Sequence, residues 1–241
     1  VSTRPQHSGA LVIVPGIGMS HRYSARLRAM LARTHHVVSL DLPGFAGRRR
    51  AAPRMSVPDY AAAIARALDR QQICRATIIG HSMGSQFAVE LARVRPSLVE
   101  RLVLAAPVVD PARRTARQQS LDLVRDLVVE SPSSAALVTG DFLRTGPRYF
   151  FTELRAMLDY RIEAGISEVA CPVLVLRGEN DPIARRGWCH DLAASARDGR
   201  VIEIAGAGHV LQHTATRAVA TAIAEFHAAG PRADGAAKRA R

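Results

Sequence analysis

The sequence predicts an α/β protein: a mostly parallel sheet of about six strands, flanked by helices, with a helical insertion in mid-chain. Three observations predict it. Short continuous apolar runs alternate with longer stretches of helical periodicity, the pattern of strands buried on both faces and joined by crossover helices. Residues able to do chemistry follow directly on those runs, where open α/β sheets gather their functional groups. One long stretch, 111–165, shows helical pattern and no strand. The chain has 241 residues, 48% hydrophobic and 22% charged, enough for one domain with a sizeable core.

The elements follow in order. Ala10–Pro15 (ALVIVP) is a buried strand, β-branched and stopped by Pro-Gly. Arg22–Arg33 is a helix. His36–Leu40 is the second strand, ended by Asp41-Leu42-Pro43-Gly44. Val57–Gln71 is a helix with Ser56 as cap and Pro58 in its first turn. Ala76–Gly80 is the third strand, and Met83–Arg95 a helix stopped before Pro96. Val99–Ala105, Pro172–Leu176 and Arg200–Ile204 are the remaining strands, with helices Ala184–Ala196 and Thr214–Ala228 behind the last two. The expected division is a core of 1–110 with 166–230, a helical lid of 111–165, and a disordered Gly/Ala/Pro-rich tail of 231–241. The lid carries Leu121, Val124, Leu127, Val128, Phe142 and Phe151.

Composition excludes several classes. The net charge is +12, but it is almost all arginine and spread along the chain; Lys238 is the single lysine. No basic stripe is interleaved with aromatics, so nucleic acid is not an expected partner; a field favouring anionic substrates is the milder reading. Cys74, Cys171 and Cys189 are an odd number without CxxC, so neither a disulfide framework nor a zinc site is indicated. No apolar run is long enough to cross a membrane, and residues 1–9 lack the apolar core of a signal peptide, so a cytoplasmic location is expected.

Four motifs carry chemistry. Gly80-His81-Ser82-Met83-Gly84 is a G-x-S-x-G between a strand and a helix. A sharp turn there exposes a serine hydroxyl, while the helix N-terminus aims amides, that of Met83 among them, at developing negative charge. Pro15-Gly16-Ile17-Gly18 follows the first strand and offers backbone N–H groups to an oxyanion. Its rival reading is a dinucleotide loop, with Asp41 suitably spaced, but His21 stands where that motif needs a third glycine. Asp181, in Arg177-Gly178-Glu179-Asn180-Asp181-Pro182, can orient a histidine; Asp110, Glu179 and a plain helix-cap role for Asp181 are the alternatives. His209, in Gly206-Ala207-Gly208-His209, is the candidate base, and Ser82, Asp181, His209 is the chain order of the hydrolase triad. His209 and His213 are four apart, but Val210 stands where a zincin has glutamate, so no metal is expected. His81 lines the turn, His35 and His36 are structural, and Trp188 and Cys189 read as packing.

The segments VIVPGIGMS, DLPGFAGR, IIGHSMGS, LVLAAP, PVLVLRGENDP and GAGHVL resemble, in order, the successive blocks of the α/β-hydrolase superfamily. The resemblance covers most of the chain outside 111–165. It implies Ser82 as nucleophile, Asp181 as acid, His209 as base, the amides of Ile17 and Met83 as oxyanion donors, and no cofactor. It departs in Pro15-Gly16 where relatives often have His-Gly, in Val210 where carbon–carbon-cleaving relatives often carry tryptophan, and in the nine residues before the first strand, where relatives usually have two more strands. The expected activity is hydrolysis of an ester or thioester of a small, largely apolar molecule. His21, Phe142, Tyr149, Phe150 and Val210 are the expected pocket residues. Arg113, Arg114, Arg144 and Arg148 read as solvated surface, with a substrate carboxylate as the alternative. Rival functions are a lyase or cyclase using the same triad, a receptor on a hydrolase scaffold, and a nucleic-acid binder.

Overall fold

Among the described residues all strands pair in parallel, and those inside the sheet rest on apolar residues. The computed structural model describes residues 9–229, the side chains of 127–129 excepted. The expectations for 1–8 and for the tail 231–241, and for the side chains of Leu127 and Val128, lie outside the described residues. The strands are β1 (Ala10–Val14), β2 (Val37–Ser39), β3 (Ala76–His81), β4 (Val99–Ala105), β5 (Val173–Gly178) and β6 (Gly199–Ile204). They lie in the order β2-β1-β3-β4-β5-β6. The register Val14↔Gly80 and His81↔Ala105 brings the ends of β1, β3 and β4 to one edge. β1, β3 and β5 are buried along their whole length, which is why they show no polar alternation.

Helices cover both faces. α1 (Ala25–Leu31) follows a 3-10 turn, His21–Ser24, so the single expected helix over 22–33 is two shorter pieces. α2 (Val57–Arg70) starts where expected: Ser56 accepts from the Asp59 amide, and the Asp59 carboxylate accepts in return from the Ser56 amide. α3 (Gly84–Val94) is buried from Gly84 through Ala92, because it packs on β1, β3 and β4 with α2 on its flank. Its partner in the core is an aromatic group: Phe87 sits 4.6 Å from the Tyr60 ring and 6.4 Å from that of Phe45.

The residues between β4 and β5 form a 3-10 turn, Pro111–Arg113, then four α-helices and no strand: α4 (Ala116–Val129), α5 (Pro132–Thr145), α6 (Pro147–Asp159) and α7 (Ile162–Ile166). α6 and α7 join the main core through Tyr149, Leu154, Met157, Ile162 and Ile166. α4 and α5 contribute less: among their described side chains only half-buried Leu123 and Val138 pack on the apolar clusters. The buried positions of α4 among its described side chains are Gln119, Asp122 and Asp126, while Leu121 (47% exposed) and Val124 (57%) face solvent. In α5 the buried residues are Ser134, Asp141 and Thr145, and Leu143 is turned outward. The chain ends its described part with α8 (Arg186–Ser195), a short α9 (Leu211–Thr214) that the sequence pattern did not separate, and α10 (Thr216–Ala228). Among the described residues no helix is long and apolar enough to cross a membrane.

Candidate active site

The turn after β3 shows why G-x-S-x-G is needed. Ser82 has φ +53°, a left-handed conformation that costs an L-residue about 1–3 kcal/mol and persists only where its surroundings enforce it. The flanking chains enforce it by close approach. A Cβ on Gly80 would stand 2.4 Å from the Gly84 carbonyl oxygen, and one on Gly84 would stand 2.5 Å from that of Val14. Only glycine fits at either place. The turn lifts Ser82 Oγ to 3.1 Å from His209 Nε2. His209 Nδ1 lies 2.9 Å from Asp181 Oδ2.

Among the candidate acids, Asp181 is the one that meets the histidine. One carboxylate oxygen takes His209; the other accepts from the amides of Ile183 and Ala184 at 2.8 and 2.9 Å. It is thus both the turn cap and the histidine's partner. Asp110 instead accepts from the Ala112 amide, and Glu179 from the Gly206 amide. Burial opposes the charge on Asp181, yet the His209 ring and the two amides hold its carboxyl below the usual range. For His209 the balance goes the other way. Burial alone would lower it, but Asp181, with Asp126 and Glu130 beyond, raises it to about 9.

His81 supports this group from below. Its Nε2 lies 2.9 Å from the His209 carbonyl oxygen and its Nδ1 3.0 Å from the Tyr23 hydroxyl. Burial, and then the neighbouring His209, depress it to about 3. A neutral ring donates one N–H, so Nε2–H goes to the carbonyl and Nδ1 accepts from Tyr23. The sequence places His81 at the turn but does not show this support of the histidine loop, which joins residues 128 apart.

The turn after β1 reaches the serine. A Cβ on Gly16 would meet Ser82 Cβ at 3.1 Å, so the backbone at Gly16 runs alongside the Ser82 side chain. Gly18 in turn is packed by Thr145 and Phe150.

The expected pocket residues separate. Phe150 covers Gly18, with Phe142 against it at 4.9 Å between ring centroids. Val210 clusters with Met19 and Tyr23. His21 is exposed and bonds through Nδ1 and its amide to Asp41, which Arg48 also grips. Tyr149 belongs to the core: its hydroxyl meets that of Tyr60 at 3.1 Å and Arg50 stacks on its ring at 4.3 Å. Of the arginines, Arg113 is held bidentate by Asp122; Arg114 meets Glu163 through one nitrogen, and Arg144 meets Asp141 at 3.2 Å. Arg148 lines an outer cleft of about 1070 Å³ with Arg54, Arg155 and Phe151, a cleft that none of Ser82, Asp181 or His209 lines. Trp188 donates to the Pro107 carbonyl, and burial pushes the Cys189 thiol up to about 12. Among the described residues no three His, Cys, Asp or Glu side chains gather to hold a metal ion.

Residues 11–222 match the model of a family described as "Alpha/beta hydrolase family". Among curated proteins the chain is similar to an (E)-2-((N-methylformamido)methylene)succinate hydrolase of Acinetobacter baylyi, 25% identical over 231 residues and 88% of each chain. It is also similar to Esterase YbfF of Escherichia coli strain K12, 27% identical over 92% of this chain and 94% of the other. Among solved structures it resembles the enol-lactonase from Burkholderia xenovorans LB400, with a TM-score of 0.77, 20% identity and 93% of both chains covered.

Proposed function

Because the chain belongs to the alpha/beta hydrolase family and is a hydrolase of that kind, we propose that it cleaves a carboxylic ester or thioester of a small, largely apolar molecule through Ser82, His209 and Asp181. The observation that carries this is the hydrogen-bonded line from Ser82 Oγ through both nitrogens of His209 to Asp181, at 3.1 and 2.9 Å.

In this reading His209 takes the Ser82 proton and the alkoxide attacks the carbonyl carbon. The tetrahedral oxyanion is received by the amides of Ile17 and Met83; the support is the approach of Gly16 to Ser82 and the position of Met83 at the start of α3. His209 then gives the proton to the leaving group, and water, activated by the same histidine, releases the acid. Asp181 holds the ring and stabilises its cation. Ser82, Asp181 and His209 are 8%, 4% and 6% exposed, so substrate needs an opening. The helices α4–α7 are the lid in this reading, and Phe142 and Phe150, against Gly18, are its apolar lining over the site.

The test is hydrolysis of p-nitrophenyl esters from acetyl to long acyl by the protein and by Ser82→Ala. The expected result is turnover that falls at least about 10⁴-fold in Ser82→Ala, with a chain-length profile that describes the lining. Equal turnover by both proteins would remove Ser82 from the chemistry, and no turnover of any ester by the intact protein would overturn the ester reading.

A further inference from the structure

α4 turns a stripe of polar side chains inward, and its far end meets the histidine loop. Gln119, Asp122, Asp126 and Glu130 follow one another at steps of three, four and four, one face of a helix. The first two serve the segment itself: Gln119 Nε2 donates to the Arg113 carbonyl, and Asp122 holds the Arg113 guanidinium. The last two reach another part of the chain. Asp126 Oδ1 accepts from the amide of His209 at 3.3 Å, and Glu130 Oε1 accepts from the amide of Val210 at 2.7 Å. Gly208 makes room for this: a Cβ there would stand 2.7 Å from Glu130 Oε1.

We propose that Asp126 and Glu130 are positioning residues for His209, holding the two consecutive amides of its loop and setting two carboxylates in the field of its ring. The inference rests on His209 being the base. With the His81 bond to the carbonyl, the loop is held at three successive backbone groups, so the ring has a fixed platform from which to face Ser82.

A neutral side chain would hold an amide equally well. Two acids here carry a cost that a purely structural role does not require. Asp126 is 3% exposed and burial drives it up to about 6, with His209 the first counter-influence. Glu130 leaves Oε2 buried without a partner. The charge that answers both is the imidazolium, the species formed when the base has taken the serine proton.

The groups facing His209 come from every element around it. They are Asp181 after β5, His81 from β3 and Ser82 in the turn after it, and Asp126 and Glu130 from α4 and its end. Tyr23, which also feels the three acids, stays protonated, and His213 on α9 faces Glu130 with Arg26 near it.

The test is the titration of the His209 ring nitrogens by NMR, in the whole protein and in Asp126→Asn and Glu130→Gln, with His209→Gln to assign the signal. Each of these two variants keeps an oxygen that can accept from the loop amide and loses a charge. The expected midpoint falls by about one pH unit in each, and the acid limb of kcat/KM on the best ester moves with it. The alkaline plateau of kcat falls less in Asp126→Asn and Glu130→Gln, which lose only the charge, than in Asp126→Ala and Glu130→Ala, which lose the loop bond as well. A His209 midpoint unmoved in both charge-removing variants overturns the proposal, as does a plateau lost equally in the amide and alanine variants. The titration needs no substrate, so a protein that hydrolyses no ester would sink the proposed activity while this measurement still reads the environment of the ring.

Discussion

The sheet with its covering helices and the segment α4–α5 are built on opposite principles. β1, β3 and β5 are buried throughout, and α2 and α3 add Ile64, Leu68, Phe87, Val89 and Leu91 to the same core. Their cohesion is burial of hydrocarbon, which is non-directional and indifferent to pH. α4 and α5 present polar residues inward and leave Leu121, Val124 and Leu143 outside. They are fastened by directed bonds: Asp141 to the amide and hydroxyl of Ser20, Thr145 to the Gly18 carbonyl, Asp126 and Glu130 to the histidine loop. Such bonds form only at the right geometry, and those made by carboxylates respond to protonation. The difference teaches where this molecule can be tuned. An apolar frame sets Ser82, Asp181 and His209, and a polar segment is fastened to the histidine loop by bonds that protonation can change.

The largest effect that would break this comparison is on pH dependence. With His209 raised to about 9, its ring is protonated below that value. In the proposed mechanism the neutral ring is the working form, so kcat/KM should rise with pH and fall about tenfold per unit on the acid side. A limb near the ordinary histidine value would mean the acids around the ring do not act on it. Next comes the frame. Phe87→Ala removes a fully buried ring from between Phe45 and Tyr60, and urea unfolding should show a loss of about 3–5 kcal/mol; a loss under about 1 kcal/mol would deny that the apolar core bears the stability. Smaller is Gly44→Ala. Gly44 has φ +81°, and its added Cβ would stand 2.3 Å from the Tyr149 ring, so about 1–3 kcal/mol should be lost. Thermal unfolding that is unchanged would show that α6 yields freely at its apolar seam with the frame. Smallest is Leu143→Gln. With 67% of Leu143 exposed, stability should change by no more than about 0.5 kcal/mol. A larger change would show that the outer face of α5 is covered after all.

The two regions are also unequally legible. Strands buried on both faces announce themselves as continuous, β-branched apolar runs, so the sequence places Ala10–Val14 and Ala76–His81 to within a residue. The capping pair Ser56 and Asp59 and the flanking glycines of Ser82 are local signals, and they are readable for that reason. In the helical segment the pattern shows helices but not which way they face. The apolar residues Leu121 and Val124 suggest an inward face, and the fold turns them out, because on the inward side Asp122 holds Arg113 and Asp126 accepts from the amide of His209, 83 residues away. Tyr149 reads toward the site and instead closes on Tyr60, 89 residues away.

By itself the sequence determined the parallel sheet, the strained serine turn and the order in which serine, acid and histidine arrive, since each depends on neighbours within a few positions. Tertiary structure alone decided that Asp181 rather than Asp110 or Glu179 meets His209, that His81 carries the histidine loop, and that two acids of the α4 stripe clasp it. Those outcomes join residues 28, 128 and 80 or more apart. A hydrogen bond across such a separation has no periodicity to betray it; it exists only once the sheet has brought its strand ends to one edge.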